Sequence, residues 1–483
     1  MLKKPMIKLE YSYLSLPSKF YQLEKPASFI KPELVLLNDS LMRELHIPVQ
    51  NQEDLLSFLL GLQSDGNGSS FAQAYAGHQF GHFTMLGDGR AIVMGEYVDP
   101  LNQRFDIQLK GSGRTTYSRG GDGKATLRAM LREYLMSEAM HHLKIPTSRS
   151  LLLAKTGDWV HREMLHEGSV LARLMKSHIR IGTFEYARYY CTTEELQALS
   201  DYTINRLYPE LQQEENPVVG LLKRVMSTQI DLVVNWMRVG FIHGVMNTDN
   251  VSIGGETFDY GPCAFLNNYH PETVFSSIDT HGRYAFGNQA NIIKWNIARL
   301  AEALLPIIHN NKDQSLEIAQ AIINEFDEIW NKKYYGKMLN KIGLENNHSK
   351  FNSLVDELLN IMKELKMDYT NTFKDLSQDI VSEENPIKRA DFLPWLEKWK
   401  NIINDSNRIQ ESKELMIMNN PVFIPRNHLV EQALDDAVGG DMSLFSQLIG
   451  IYSEPYRHQN NLDEFMEPSE PGFEKIYQTF CGT

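Results

Sequence analysis

Cysteine is nearly absent: the chain of 483 residues contains three, Cys191, Cys263 and Cys481. So few exclude a disulfide framework and a cysteine-rich zinc module, and they fit a reducing compartment. Long apolar runs are missing too. No stretch approaches the roughly 18 uninterrupted apolar residues of a membrane-spanning helix. Basic residues are in deficit, with 48 Lys and Arg against 61 Asp and Glu and a net charge of −13. Such a balance argues against binding nucleic acid or an anionic membrane, while leaving room for a local basic pocket. The opening MLKKPMIKLEYSYLSLP has no signal-peptide apolar core, and no arginine precedes Arg43. The expected location is therefore cytoplasmic. Neither a fixed-period repeat nor a low-complexity tract occurs.

What is present suffices for a large core: 42% of the residues are hydrophobic and 23% charged. The first 290 or so residues are glycine-rich, with short β-like runs and several helices. The rest reads as mostly helical, with apolar residues at three- and four-residue spacing over Asn291–Ile308, Ser315–Asn340 and Phe351–Leu365. Polar clusters at Glu345–Lys350 and Asp405–Lys413 read as loops. In the first part, His82–Met85 and Ala91–Val98 read as two strands with Gly87-Asp88-Gly89-Arg90 at the tip between them. Phe105–Leu109 alternates into Lys110, and the glycine-rich loop Gly111–Lys124 leads to a helix over Ala125–Leu143. Ser169–Met175 reads as a strand and Leu221–Val239 as a helix ending at Gly240. Val251–Ile253 and Thr257–Asp259 read as a tight hairpin.

Three pieces carry chemistry, and each has a bland alternative. Glycines at 87 and 89 let a backbone approach phosphate oxygens, although most glycine turns are only turns. Lys110 on a strand and Glu133 on the next helix are the parts of a phosphate-positioning ion pair, or two unrelated surface charges. His243–Asn250 followed by Asp259-Tyr260-Gly261 is sharper. Kinases place a base and a metal ligand in HRDxxxxN, and a second metal ligand in DFG. Here His243, Asn250 and Asp259 keep their places, and the hard oxygen donors of Asn250 and Asp259 suit Mg²⁺ or Mn²⁺. The position of the kinase base is Val245, which cannot accept a proton. The loop's one carboxylate is Asp249. His78 and His82 have helical metal spacing but no HExxH, in a glycine-rich segment that does not favour zinc. The aromatic run Phe184–Tyr190 reads as core plus surface rather than a nucleic-acid platform. Cys263 reads as a buried free thiol.

With these motifs in order, the chain resembles the selenoprotein O (SelO/YdiU) family of protein nucleotidylyltransferases. The resemblance rests on Tyr75–Gly81, Leu86–Arg90, Leu109–Gly123, His243–Asn250, Asp259–Pro262 and Asn420–His428, and on the near-terminal Cys481. It implies an α+β, bilobal protein-kinase-like fold with an extended helical C-terminal region. The expected regions are 1–165, an N-lobe-like part with Lys110 and Glu133; 166–290, the catalytic core with the metal-binding loop; and 291–483, mostly helical. The resemblance implies that Gly87, Gly89, Arg90, Lys110, Asp122, Gly123, Arg173 and Arg180 hold the nucleotide, with Glu133 bracing Lys110. Asn250 and Asp259 would bind Mg²⁺ or Mn²⁺, and Asp249 would be the base. ATP, flipped relative to kinases, or UTP would donate AMP or UMP to hydroxyl side chains of protein substrates. For Cys481 two readings stand, a regulatory disulfide with no evident partner and a free tail thiol. A γ-phosphate-transferring kinase and an inactive nucleotide-binding scaffold are the alternatives. Val245 speaks against the first, and the retained Lys110, Asn250 and Asp259 against the second.

Overall fold

A computed structural model describes residues 7–48, 51–62, 69–79, 81–345, 349–378, 391–405, 409–470 and 472–480. Phe80 and Cys481, and with Cys481 the proposed disulfide, lie outside the described residues.

A nine-stranded antiparallel sheet forms the first part. Its central strands run Ala91–Val98, Arg104–Lys110, Leu165–Met175 and Arg149–His161 in space. Alternation along Arg104–Lys110 gives the sheet two different faces. Ile107 and Leu109 are buried in an apolar cluster with Leu152, Ala154, Val170 and Ala172. Gln108 and Lys110 therefore project from the other face, where the Leu127–His142 helix packs. Thr126 caps that helix by accepting from the Ala129 amide, and Leu127, Leu131 and Leu135 fill the core with Leu153 and Leu171.

Beyond the sheet the chain is chiefly helical, so the α+β class with a helical C-terminal region is present. The Pro217–Val239 helix is its axis. Asn216 caps it, Pro217 occupies its first turn, and Gly240 ends it in the left-handed region at φ 78°. Its apolar stripe, including Leu221, Val225, Ile230 and Val234, is buried. That sharp stop delivers Phe241 and Ile242 to a two-strand pairing with Ala264 and Phe265. The stretch from His243 to Pro262 hangs between those two anchors.

Several sequence expectations are corrected. His82–Met85 pairs with Ala76–Gln79, and Ala91–Val98 with Arg104–Lys110. Gly87–Arg90 is thus a crossing between two sheets, not a hairpin tip. Residues 251–259 form no hairpin either: Ser252 bridges to Arg180 and Thr257 to Thr147. Both arms find better-placed partners in neighbouring elements. The helix over Ser315–Asn340 is two helices, Lys312–Asn324 and Phe326–Lys341. The Glu325 amide bonds back only three residues, to Ile322 O, which ends the first. Ile409–Asn419 is helical, so the polar cluster containing Lys413 is not a loop there.

Candidate active site

The register of the sheet assembles the charged centre. Arg173 lies opposite Gln108 and Leu171 opposite Lys110 on neighbouring strands. Period-two alternation then turns Lys110, Gln108 and Arg173 to one face. Lys110 Nζ lies 2.5 Å from Glu133 Oε2 and 2.5 Å from Asp259 Oδ1. Arg173 Nη1 lies 2.6 Å from Glu133 Oε1 and 2.7 Å from the same Asp259 oxygen. Two donors of Arg173 also reach Gln108 Oε1, at 3.0 and 2.7 Å. Two cations and two carboxylates thus alternate in a closed ring. Burial pushes the Asp259 carboxyl up, but Lys110, Arg173 and Arg180 outweigh it and hold the group well below the usual carboxylate range. Asp259 itself has φ 62°, and the Gly261 amide donates to its carbonyl at 2.8 Å.

The ring makes Glu133 a structural as well as a site residue. Glu133→Ala leaves Lys110 and Arg173 sharing one carboxylate in a buried setting. Breaking a buried pair from one side costs about 3–5 kcal/mol, so urea unfolding should show a loss near the lower figure because Asp259 remains. An unchanged unfolding midpoint would mean that the ring is not formed.

Arg180 stands beside the ring. Its guanidinium lies 4.0 Å from the Tyr75 ring centre and 5.1 Å from that of Phe258. Nε donates to His178 O and Nη1 to Asp249 O. Nη2 is buried, has no hydrogen-bond partner among the described residues, and faces Asp88 Oδ1 at 3.6 Å. Asp249 lies in the turn Thr248–Asn250, where burial pushes its pKa up to about 6 against the pull of Arg180. Its Oδ1 is likewise buried without a partner. A cation and a carboxylate with unused capacity therefore sit at one locus. Val245 is buried at the kinase base position. His243 ties the loop to the metal-motif turn, its Nε2 lying 3.0 Å from Phe258 O.

The glycine segments pack on one another. A Cβ on Gly87, at φ +119°, would lie 2.3 Å from the Tyr117 ring, and one on Gly123 would lie 2.0 Å from Gly113 O. The Asp88 and Gly89 carbonyls accept from Thr115 Oγ1 and Ser118 Oγ at 2.6 and 2.5 Å. Arg90 borders Lys110 across the sheet, and its carbonyl accepts from the Gly111 amide at 2.8 Å. Asp122 is engaged by Arg162, with Nη1–Oδ2 at 2.8 Å and Nη2–Oδ1 at 3.1 Å.

The comparisons with known proteins bear on this arrangement. The profile of a family described as "Protein adenylyltransferase SelO" matches residues 5–452. The chain belongs to the SelO family. It is 47% identical to "Protein nucleotidyltransferase YdiU" of Brevibacillus brevis, covering 100% of this chain and 99% of the relative. Its identity to the Clostridium perfringens protein of the same name is 46%, over 98% and 97% of the two chains. The Pelagibacter ubique protein is 47% identical over 98% of each. The enzyme class is accordingly protein nucleotidyltransferase. Among solved structures, a Toxoplasma gondii rhoptry antigen kinase domain aligns over 65% of this chain and 93% of its own. Its TM-score is 0.26 and its identity 11%. So low a score carries no argument, and the kinase-like reading rests on the ordered parts above.

Within this SelO-family site the structure gathers Lys110, Glu133, Arg173 and Asp259 into direct contact and sets Arg180 and Asp249 beside them. The glycine loop with Arg90 adjoins Lys110, whereas Asp122 is tied to Arg162 of the Arg149–Met175 hairpin. Three members were missed in the sequence: Gln108, Asp88 and Tyr75. Gln108 was findable, because it stands two residues before Lys110 on one strand face. Asp88 and Tyr75 stand inside the motifs Leu86–Arg90 and Tyr75–Gly81, but nothing local aims either of them at Arg180. Asn250 and Asp259 offer an amide oxygen and a carboxylate, hard donors that suit Mg²⁺ or Mn²⁺. The Lys110 and Arg173 contacts use Oδ1 of Asp259, not Oδ2. Among the described residues no group of three His, Cys, Asp or Glu is placed to hold a metal. Cys263 is buried, and burial pushes its thiol up to about 11. Phe184 is buried while Tyr189 and Tyr190 are exposed, the expected division of that run. No helix among the described residues is long and apolar enough to cross a membrane.

Proposed function

We propose that the chain transfers AMP, or UMP, from ATP or UTP to Ser, Thr or Tyr hydroxyls of other proteins and releases pyrophosphate. The observation that carries this reading is the pairing of Val245, at the kinase base position, with Asp249, whose buried Oδ1 has no hydrogen-bond partner among the described residues. A bond forms between the acceptor hydroxyl oxygen and the α-phosphorus, and the bond from that phosphorus to pyrophosphate breaks. Asp249 takes the hydroxyl proton. Lys110, Arg173, Arg180 and Arg90 face the phosphates and the charge that develops on the leaving pyrophosphate. Gln108 and Glu133 fix the two innermost cations, so little reorganisation is needed when the triphosphate arrives. Asn250 and Asp259 would hold a Mg²⁺ or Mn²⁺ ion, which would supply further neutralisation of phosphate charge. Cytoplasmic action fits the paucity of cysteine.

Parallel incubations with α-labelled and γ-labelled ATP test the reading. Label on protein from the α-position alone supports nucleotidylyl transfer, with UTP competition reporting the donor preference. Label from the γ-position alone replaces it with a kinase, and no label from either leaves a scaffold. The cationic residues give a second test. Lys110→Ala, Arg173→Ala and Arg180→Ala should each weaken binding of a nonhydrolysable ATP analogue about tenfold, the size of one charge-assisted hydrogen bond. Arg457→Ala should not, since that side chain is 76% exposed and pairs with Glu454. Equal calorimetric titrations for all four would place the phosphates elsewhere.

A further inference from the structure

We propose that His78 and Glu185 are positioning residues that hold the Thr248–Asn250 turn, and with it Asp249 and Asn250, through hydrogen bonding at Thr248. This rests on the transfer reading above, in which that turn presents the base and a metal ligand. The turn itself is short, three residues of 3₁₀ geometry, and has no side-chain cap at its start. Its shape must come from neighbours.

Two separate elements supply it. The His78 amide, on the Ala76–Gln79 strand, donates to Thr248 Oγ1 at 2.8 Å. The His78 ring is hydrogen-bonded through Nδ1 to Glu185 Oε1 at 2.6 Å. Glu185 belongs to the Ile181–Tyr190 helix, where burial pushes its carboxyl up to about 7 against the pull of the Thr248 hydroxyl beside it. Trp295 stands edge-on to the His78 ring at 5.3 Å, which fixes the ring plane. Helix and turn are thus both hydrogen-bonded to the strand through His78, which makes the three one circuit of contacts.

Two glycines show how closely the same elements meet. A Cβ on Gly77 would lie 2.4 Å from Asp249 Oδ1, so the strand backbone fits directly against the base. A Cβ on Gly182 would lie 2.0 Å from Ala76 O and 3.4 Å from Asp249 Cα. Glu185 and Thr248 are 2% and 0% exposed. Burying a carboxyl and a hydroxyl is costly where apolar side chains would fill the space, and Glu185 Oε2 has no hydrogen-bond partner among the described residues. A purely packing role gives no reason to keep these groups. Orientation of the neighbouring Asp249 and Asn250 does, by the logic that fixes ligands and bases from behind.

The test uses the full chain, α-labelled ATP and its own hydroxyls or added casein as acceptor. Thr248→Val, nearly isosteric, should lower kcat about tenfold or more while leaving the affinity for a nonhydrolysable ATP analogue unchanged. Glu185→Ala should do the same, whereas Glu185→Gln, which can still accept from the His78 ring, should recover most of the turnover. The His78→Ala/Thr248→Val double variant should lose no more than the worse single variant, because the two act as one circuit. Amide hydrogen exchange at residues 248–250 should speed up in Thr248→Val and Glu185→Ala, whether or not transfer is observed. Wild-type kcat in Thr248→Val, additive losses, no rescue by glutamine, or unchanged exchange would each overturn the proposal. Failure of the wild type to accept α-label would instead overturn the transfer reading, and the exchange result would still decide the circuit. If His78→Ala does not fold, the Thr248 and Glu185 variants decide alone.

Discussion

Asp259→Ala is expected to lower transfer by at least about a hundredfold, the scale seen when one electrostatic stabiliser is removed from an active site. The carboxylate has two duties, and alanine ends both. In the transfer reading proposed above it is the anionic member of the Asn250/Asp259 donor pair, so a dication would lose its charged ligand. It also neutralises Lys110 and Arg173, each within 2.7 Å of Oδ1. Removing it does not remove positive charge from the pocket. Lys110, Arg173 and Arg180 stay, and two of them are released from a competing carboxylate. Binding of an ATP analogue without metal should therefore hold or tighten, while turnover collapses at every metal concentration. Calorimetry alongside α-label incorporation separates the two effects. Near-wild-type turnover would take Asp259 out of the site. Weakened metal-free binding would mean that the ring, rather than the charge, organises the pocket.

Asp249→Asn should keep nucleotide affinity and lose turnover by a comparable factor, since a general base typically contributes about a hundredfold or more. Asparagine is nearly isosteric with aspartate but cannot take a proton. The structure narrows what the residue does. Arg180 donates to the Asp249 backbone carbonyl, so the ion contact does not consume the carboxylate. Oδ1 has no partner among the described residues, which does not suit a loop cap. Gly77 leaves room for that oxygen, and even a methyl group there would lie 2.4 Å from it. If Asp249 instead served the metal through a bound water, the metal requirement would rise in the variant and excess metal would restore part of the rate. Turnover that stays intact at saturating metal would sink the base role. Single-turnover measurements, which isolate the chemical step from product release, are the suitable readout.

By itself the sequence determined the parts and their order. A lysine ending an alternating strand, a glutamate on the following amphipathic helix, and the series His243, Asn250, Asp259-Tyr260-Gly261 are readable because each is a local pattern. The helix stop at Gly240 was readable for the same reason, whereas its start, marked by Asn216 and Pro217, was placed four residues late at Leu221. Val245 was legible as a departure, because the spacing of its neighbours defines the position it fills. Tertiary structure alone decided which of these groups meet. Lys110 and Asp259 are 149 residues apart, and Arg173 and Gln108 are 65 apart. Their contact depends on strand register and on how the chain closes, and no local propensity encodes either. Asp88 facing Arg180, Tyr75 beneath it, and His78 and Glu185 behind the Thr248–Asn250 turn were invisible for that reason. The misread hairpins at 82–98 and 251–259 have the same origin. Short β-like runs have weak local preference, and each paired with whichever edge the folded core left beside it.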